Sequence, residues 1–284
     1  MHRYIRQVIA SLVLGMVVGY ASAQASATPE PEPGQELKVA AAAANAPDKA
    51  EAWVRTPEER AWETILEASL GNSYLPDYKQ AKAKGLETAW DYVKDDPKLP
   101  RVLLIGDSIS RGYTVTVRHV LAGKANVHRA PMNCGSTQRA LSTNGTLKKQ
   151  QLEIWLGDGR WDVIHFNFGI HDSGGSVEEY AARLETITKR LKQTGARLIF
   201  ANTTCGRDVD DKIAKFNRAA AEVMERNGVP VNDLFSYMQP RKAEFRAAPD
   251  NSHFKETGNS YLGQKVAEEI LKQLQAPPRV TAPR

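Results

Sequence analysis

Strands that alternate with amphipathic helices predict an α/β protein, a parallel sheet carrying helices on both faces. Three observations carry that expectation. Residues 102–105, Val-Leu-Leu-Ile, form a short apolar run of the kind that fills a strand buried on both sides. Residues 162–168 and 197–202 repeat the pattern. Between the runs, apolar residues recur at intervals of three and four, and Gly123, Gly195 and Gly228 stand where helices should stop.

The chain of 284 residues, 42% hydrophobic and 25% charged, has the composition of an ordinary globular protein. Arg3 and Arg6 precede an apolar run from Val8 to Val18, and Ala21-Ser22-Ala23 supplies a small-residue cleavage site. Residues 1–23 therefore read as a secretory signal peptide, which makes the expected location periplasmic or secreted. Cleavage removes two arginines and no acid, taking the formal charge from +5 to +3. Residues 24–55 are rich in Ala, Pro and Glu and predict a flexible tether. The folded domain is expected over 56–275, followed by a frayed tail, 276–284.

Within the domain, Trp62, Ile65, Leu66 and Leu70, then Ala89, Trp90 and Tyr92, predict helical segments packed on a core. After the first strand, Gly106 turns the chain, Asp107 and Ser108 follow, and Val117, Val120 and Leu121 line a helix. Residues 127–130 form a weak second strand running into Pro131-Met132-Asn133-Cys134-Gly135. Residues 147–156 are amphipathic, and the third strand ends at Gly169. Ser176 followed by Glu179 predicts a capping box, opening a helix with Tyr180, Leu184, Ile187 and Leu191 on one face. After the fourth strand, Ile213, Phe216, Ala220 and Val223 line the next helix. Residues 229–231 are the fifth strand, which Pro230 assigns to a sheet edge. Leu262, Val266 and Ile270 line the closing helix.

No Cys/His cluster has metal-ligand spacing and no glycine-rich phosphate loop appears, so neither a metal nor a cofactor is expected. No clustered basic patch predicts nucleic-acid binding, and no membrane span is expected in the mature chain. Nothing in the pattern specifies an oligomeric state.

In an open α/β sheet, ligands bind in the crevice beyond the carboxyl ends of the strands, where Ser108 stands. A serine there becomes a nucleophile if an imidazole takes its proton and a carboxylate orients that imidazole. Backbone N–H groups must also face the developing oxyanion. Asp250-Asn251-Ser252-His253, between the fifth strand and the last helix, offers carboxylate and imidazole three residues apart. Gly135 follows the second strand and His171-Asp172 the third, so all these segments belong to one sheet edge.

Gly106-Asp107-Ser108, Gly135 in Asn-Cys-Gly-Ser-Thr, Gly169-Ile170-His171-Asp172 and Asp250-Asn251-Ser252-His253 resemble the four blocks of the SGNH (GDSL-type) hydrolase superfamily. They do so in order and in register with the strands, over roughly residues 100–272. The resemblance implies a flavodoxin-like three-layer α/β/α sandwich whose five-stranded parallel sheet has order 2-1-3-4-5. It implies Ser108 as nucleophile, His253 as general base and Asp250 orienting the base. The N–H groups of Ser108 and Gly135 would form the oxyanion hole. The family has Asn where His171 stands. An imidazole also donates a hydrogen bond, so His171 is the expected third donor and Asn167 the alternative.

The implied reaction is that of an exported serine esterase removing acyl groups, acetyl foremost, from a carbohydrate or other small-molecule ester. Its rivals are a lipid or lysophospholipid esterase, an acyltransferase with the same triad, and a non-catalytic glycan-binding member. With strand order 2-1-3-4-5, Cys134 and Cys205 leave strands three steps apart, about 14 Å. Bridged Cα atoms lie about 4.4–6.8 Å apart, so both cysteines are expected free.

Overall fold

The computed structural model describes residues 56–277, apart from 144–147, 158, 206–209 and 249–250. The signal peptide, the tether, most of the tail and Asp250 lie outside the described residues. Along the chain, α1 (Pro57–Ser69) and α2 (Gly71–Ala83) precede β1 (Arg101–Ile105), α3 (Ser108–Val120) and β2 (Asn126–Arg129). Then come α4 (Thr137–Leu141), α5 (Gln151–Leu156), β3 (Val163–Phe166), α6 (Val177–Lys192) and β4 (Arg197–Ala201). α7 (Asp210–Asn227), β5 (Val231–Asn232), α8 (Leu234–Met238), α9 (Lys242–Phe245) and α10 (Glu256–Gln275) follow.

All strand pairings are parallel, and the sheet order is β2-β1-β3-β4-β5. The two-residue period of a strand explains why β1 has no polar alternate. Val102 and Leu104 pack with Val117, Leu262 and Val266 beneath α3 and α10. Leu103 and Ile105 pack with Leu152, Leu184 and Phe216 beneath α5, α6 and α7. Every one of these four strand residues is essentially inaccessible. Truncating one, as in Leu104→Ala, removes about 2–5 kcal/mol of stability.

Ala89, Trp90 and Tyr92, expected on a helix, lie instead in the irregular segment between α2 and β1, where Ala89 and Trp90 are buried. Other elements also differ from expectation. β5 is Val231–Asn232 rather than 229–231, because Pro230 has no N–H to give. Its carbonyl nevertheless accepts from Phe200 N at 3.0 Å, so the ladder starts there. Ser176 does cap α6, accepting from the amides of Glu178 and Glu179, but the box is not reciprocal. Its hydroxyl is donated to Glu178 while Glu179 pairs with Arg183. A complete box occurs instead at Thr56 and Glu59 of α1. Ala276 and Pro277, assigned to the frayed tail, are held by Arg197, whose Nη1 and Nη2 donate to their carbonyls at 2.8 Å.

The N-terminal helices make a separate small cluster from Leu66, Leu70, Tyr78 and Trp90, with Trp62 Nε1 donating to Trp90 O at 2.7 Å. Arg118 of α3 fastens the segment after α2. Its guanidinium donates to the carbonyls of Thr88, Ala89, Asp91 and Val127. No helix among the described residues is long and apolar enough to cross a membrane.

Candidate active site

Ser108 is placed by the turn out of β1. A Cβ at Gly106 would come within 2.9 Å of the Ser110 side chain, which reserves that position for glycine. Asp107 is the extended N-cap of α3, and its buried carboxylate accepts from Ile109 N at 2.9 Å. Ser108 is thereby the first residue of the helix, half-buried at the carboxyl end of β1. Ser108 thus sits at a helix N-terminus, where unpaired backbone N–H groups favour negative charge.

The base arrives from the other end of the chain. His253 Nε2 lies 2.8 Å from Ser108 Oγ. On the far side of the ring, Nδ1 lies 2.8 Å from Asn251 Oδ1, which also accepts from His253 N at 2.9 Å. An Nδ1–H donated to that oxygen leaves Nε2 bare, the tautomer that accepts the serine proton. The loop is tied down by Ala247 N to His253 O and Lys255 N to Phe245 O. Asn251 was not among the residues the sequence singled out. Its signal was an Asx-type turn, a side chain bonding its own backbone two residues on.

The loop after β2 is fixed against the other two. Cys134 N donates to Gly106 O at 3.1 Å, tying the Gly135 segment to the Ser108 turn. Gly135 itself has φ of +71°, the left-handed region that favours glycine. Thr137 donates its amide and hydroxyl to Asp172 after β3. Burial raises the Asp172 carboxyl above its ordinary range despite those bonds.

Arg129, the last residue of β2, holds both turns. Nη1 donates to Ala130 and Met132 carbonyls, and Nη2 to Gly106 O, Asp107 O and Ser110 Oγ. It is only 2% exposed. Sequence reasoning missed it, and its sole signal was a charged residue inside an otherwise buried strand.

His171 stands exposed in the turn after Gly169 and makes no hydrogen bond among the described residues. Asn167 is buried, its Nδ2 donating to Ala201 O at 2.8 Å. Cys134 and Cys205 are free and buried, and burial pushes both thiols up to about 11. Among the described residues no His, Cys, Asp and Glu cluster could hold a metal ion. A cavity of about 950 Å³ runs along β2 beneath α1, lined by Trp62, Trp155, Trp161 and His128, and includes neither Ser108 nor His253.

The sequence profile of the GDSL-like lipase/acylhydrolase family matches residues 104–261, which contain the serine, the Gly135 loop and the histidine. The chain belongs to that family. This GDSL-like, SGNH-type protein is a serine ester hydrolase. Its fold is shared by a lipase/acylhydrolase from Enterococcus faecalis, 23% identical with a TM-score of 0.51, covering 64% of this chain and 100% of that one. An acetyl xylan esterase, AlAXEase, is 15% identical with a TM-score of 0.50, covering 60% and 99%. An alpha/beta hydrolase from the metagenome of Lake Arreo, Spain, is 13% identical with a TM-score of 0.50, covering 61% and 96%. No curated protein sequence matches this chain.

Proposed function

We propose that the protein is an exported esterase that removes O-acyl groups, acetyl foremost, from a carbohydrate through Ser108, His253 and Asp250. The observation that carries the mechanism is the 2.8 Å approach of His253 Nε2 to Ser108 Oγ. Ser108 Oγ attacks the acyl carbon as its proton passes to Nε2, and the carbonyl becomes an oxyanion. Collapse of that intermediate expels the alcohol, which takes the proton from His253 and leaves an acyl-serine. Water, giving a proton to the same nitrogen, then attacks the acyl carbon. The acid departs and Ser108 regains its proton.

The backbone N–H groups of Ser108 and Gly135 face the oxyanion, and His171 supplies the third donor in this reading. Asp250 orients the His253 ring, with Asn251 beside it. Export rests on the sequence pattern of residues 1–23. The carbohydrate assignment is supported by the polar, half-buried side chains of the loop after β2, Asn133 and Ser136, where a lipid esterase needs a broad apolar groove. It is also in keeping with the acetyl xylan esterase among the structures of similar fold. A panel of acetylated glycans, nitrophenyl esters and lysolipids tests the assignment. Acetate release from glycans with a kcat/KM well above that for lysolipids is expected, and the reverse order contradicts the reading.

A further inference from the structure

Arg111 stands one helical turn beyond Ser108 on α3, the i+3 spacing that places two side chains on neighbouring parts of one helix face. Its guanidinium makes no hydrogen bond or ion pair among the described residues, and Nε is buried without a partner. Rings hold it instead. Its guanidinium carbon lies 5.2 Å from the centroid of Tyr74 and 5.9 Å from that of Trp90. Both rings belong to the N-terminal segment that precedes the family match at residue 104. Tyr74 Oη in turn accepts from Asn133 Nδ2 at 3.1 Å, so this arginine–aromatic unit abuts the loop that leads into Gly135.

A second arginine also touches that loop. The Arg139 Cδ is 3.5 Å from where a Gly135 Cβ would stand, and Nη1 is 4.0 Å away. Arg139 is exposed, and among the described residues its only side-chain hydrogen bond is a long one to Met132 Sδ, at 3.8 Å. Arg129 gives the donors of Nη1 and Nη2 to carbonyls and one hydroxyl, and among the described residues no carboxylate accepts from it. The carboxylates that face this region are committed elsewhere. Asp107 caps α3 and Asp172 receives Thr137. The Ser108–Gly135 mouth therefore carries several positive charges and no described carboxylate paired to them.

A half-buried guanidinium with unused donors is costly unless something supplies acceptors. Its planar fork matches an oxyanion group such as a carboxylate. We propose that Arg111 and Arg139 form an anion-binding subsite beside Ser108, and that the preferred substrates are esters bearing a carboxylate near the scissile bond. The inference rests on the esterase reading above and narrows its substrate class.

Two matched pairs of aryl esters test it. One pair is 4-acetoxybenzoate and its methyl ester, with the charge on the alcohol side. The other is 4-nitrophenyl hemisuccinate and 4-nitrophenyl butyrate, with the charge on the acyl side. In at least one pair, Arg111→Gln should lower the anionic-to-neutral ratio of kcat/KM by about tenfold or more, mainly through KM. Arg139→Gln should lower the same ratio, and Arg111→Lys, which keeps the charge but not the fork, should recover part of the loss. Ratios unchanged from wild type in both pairs overturn the subsite while leaving the esterase intact. Absence of turnover of all four esters overturns the esterase reading and the subsite with it.

Discussion

The Arg129 Nη2 lies 2.8 Å from the carbonyl oxygen of Asp107, the residue immediately before Ser108. The same guanidinium reaches Met132 O, three residues before Gly135. One buried side chain thus sets the spacing between the two loops that supply the backbone donors of the proposed oxyanion hole. Arg129→Met should therefore destabilise the fold by about 3–5 kcal/mol, because it strands several buried carbonyls. Arg129→Lys retains a charge but cannot span both loops, and should lower kcat more than it raises KM. Urea unfolding and steady-state kinetics of the two variants check this.

His171 and Asn167 make opposite predictions. His171 is exposed with its donors uncommitted, whereas Asn167 is buried and bonded to Ala201 O. If His171 donates to the oxyanion, His171→Ala lowers kcat on the order of a hundredfold with little change in KM. His171→Asn should recover part of that loss. A near wild-type kcat in His171→Ala, with the defect in Asn167→Ala, transfers the role to Asn167.

His165 gives the fold an acid limit. It is fully buried in β3, edge-on to the Tyr113 ring and 3.3 Å from Asn232 Nδ2, and burial pulls its pKa down to about 3. The neutral ring is the native form, while the unfolded chain takes up a proton below about 6.5. The folded pKa lies below the unfolded one, so this contribution is complete above pH 6.5 and is lost as pH falls toward 3. Between pH 7.5 and pH 5 it removes about 2 kcal/mol. Burial acts in the same direction on His128. Urea unfolding at the two pH values should show a smaller loss in His165→Leu than in wild type, and an equal loss contradicts the assignment.

The cysteines should behave as inert core residues. With both thiols buried and raised to about 11, Ellman's reagent should find almost none in the native protein. It should find two after denaturation without reductant. None after denaturation would mean that the pair is bridged.

What the sequence disclosed and what it hid follow from distance along the chain. Residues 102–105 were legible because burial on both faces leaves an unbroken apolar run. Ser108 was legible because a strand, a glycine turn and a helix are local. The start of β5 was misplaced because Pro230, lacking an N–H, contributes only its carbonyl to the ladder, so the paired strand begins at Val231. Arg129 was hidden because its partners are backbone carbonyls from two loops, which carry no residue signature. Tyr74 and Asn133 meet across 59 positions, so neither one marks the other. Asn251 sat inside a motif already recognised, yet its contact with Nδ1 depends on how the turn closes.

The central claim is that Ser108, 145 positions from His253 in the chain and 2.8 Å from it in space, is a nucleophile activated by that imidazole. Intact mass and peptide mapping after exposure to a serine-directed fluorophosphonate test it most directly. Wild type should gain one adduct, located on Ser108, at a rate that falls sharply in His253→Ala. Ser108→Ala, with an unchanged unfolding transition, should gain none. An adduct on another residue, or labelling that persists in Ser108→Ala, would contradict the account.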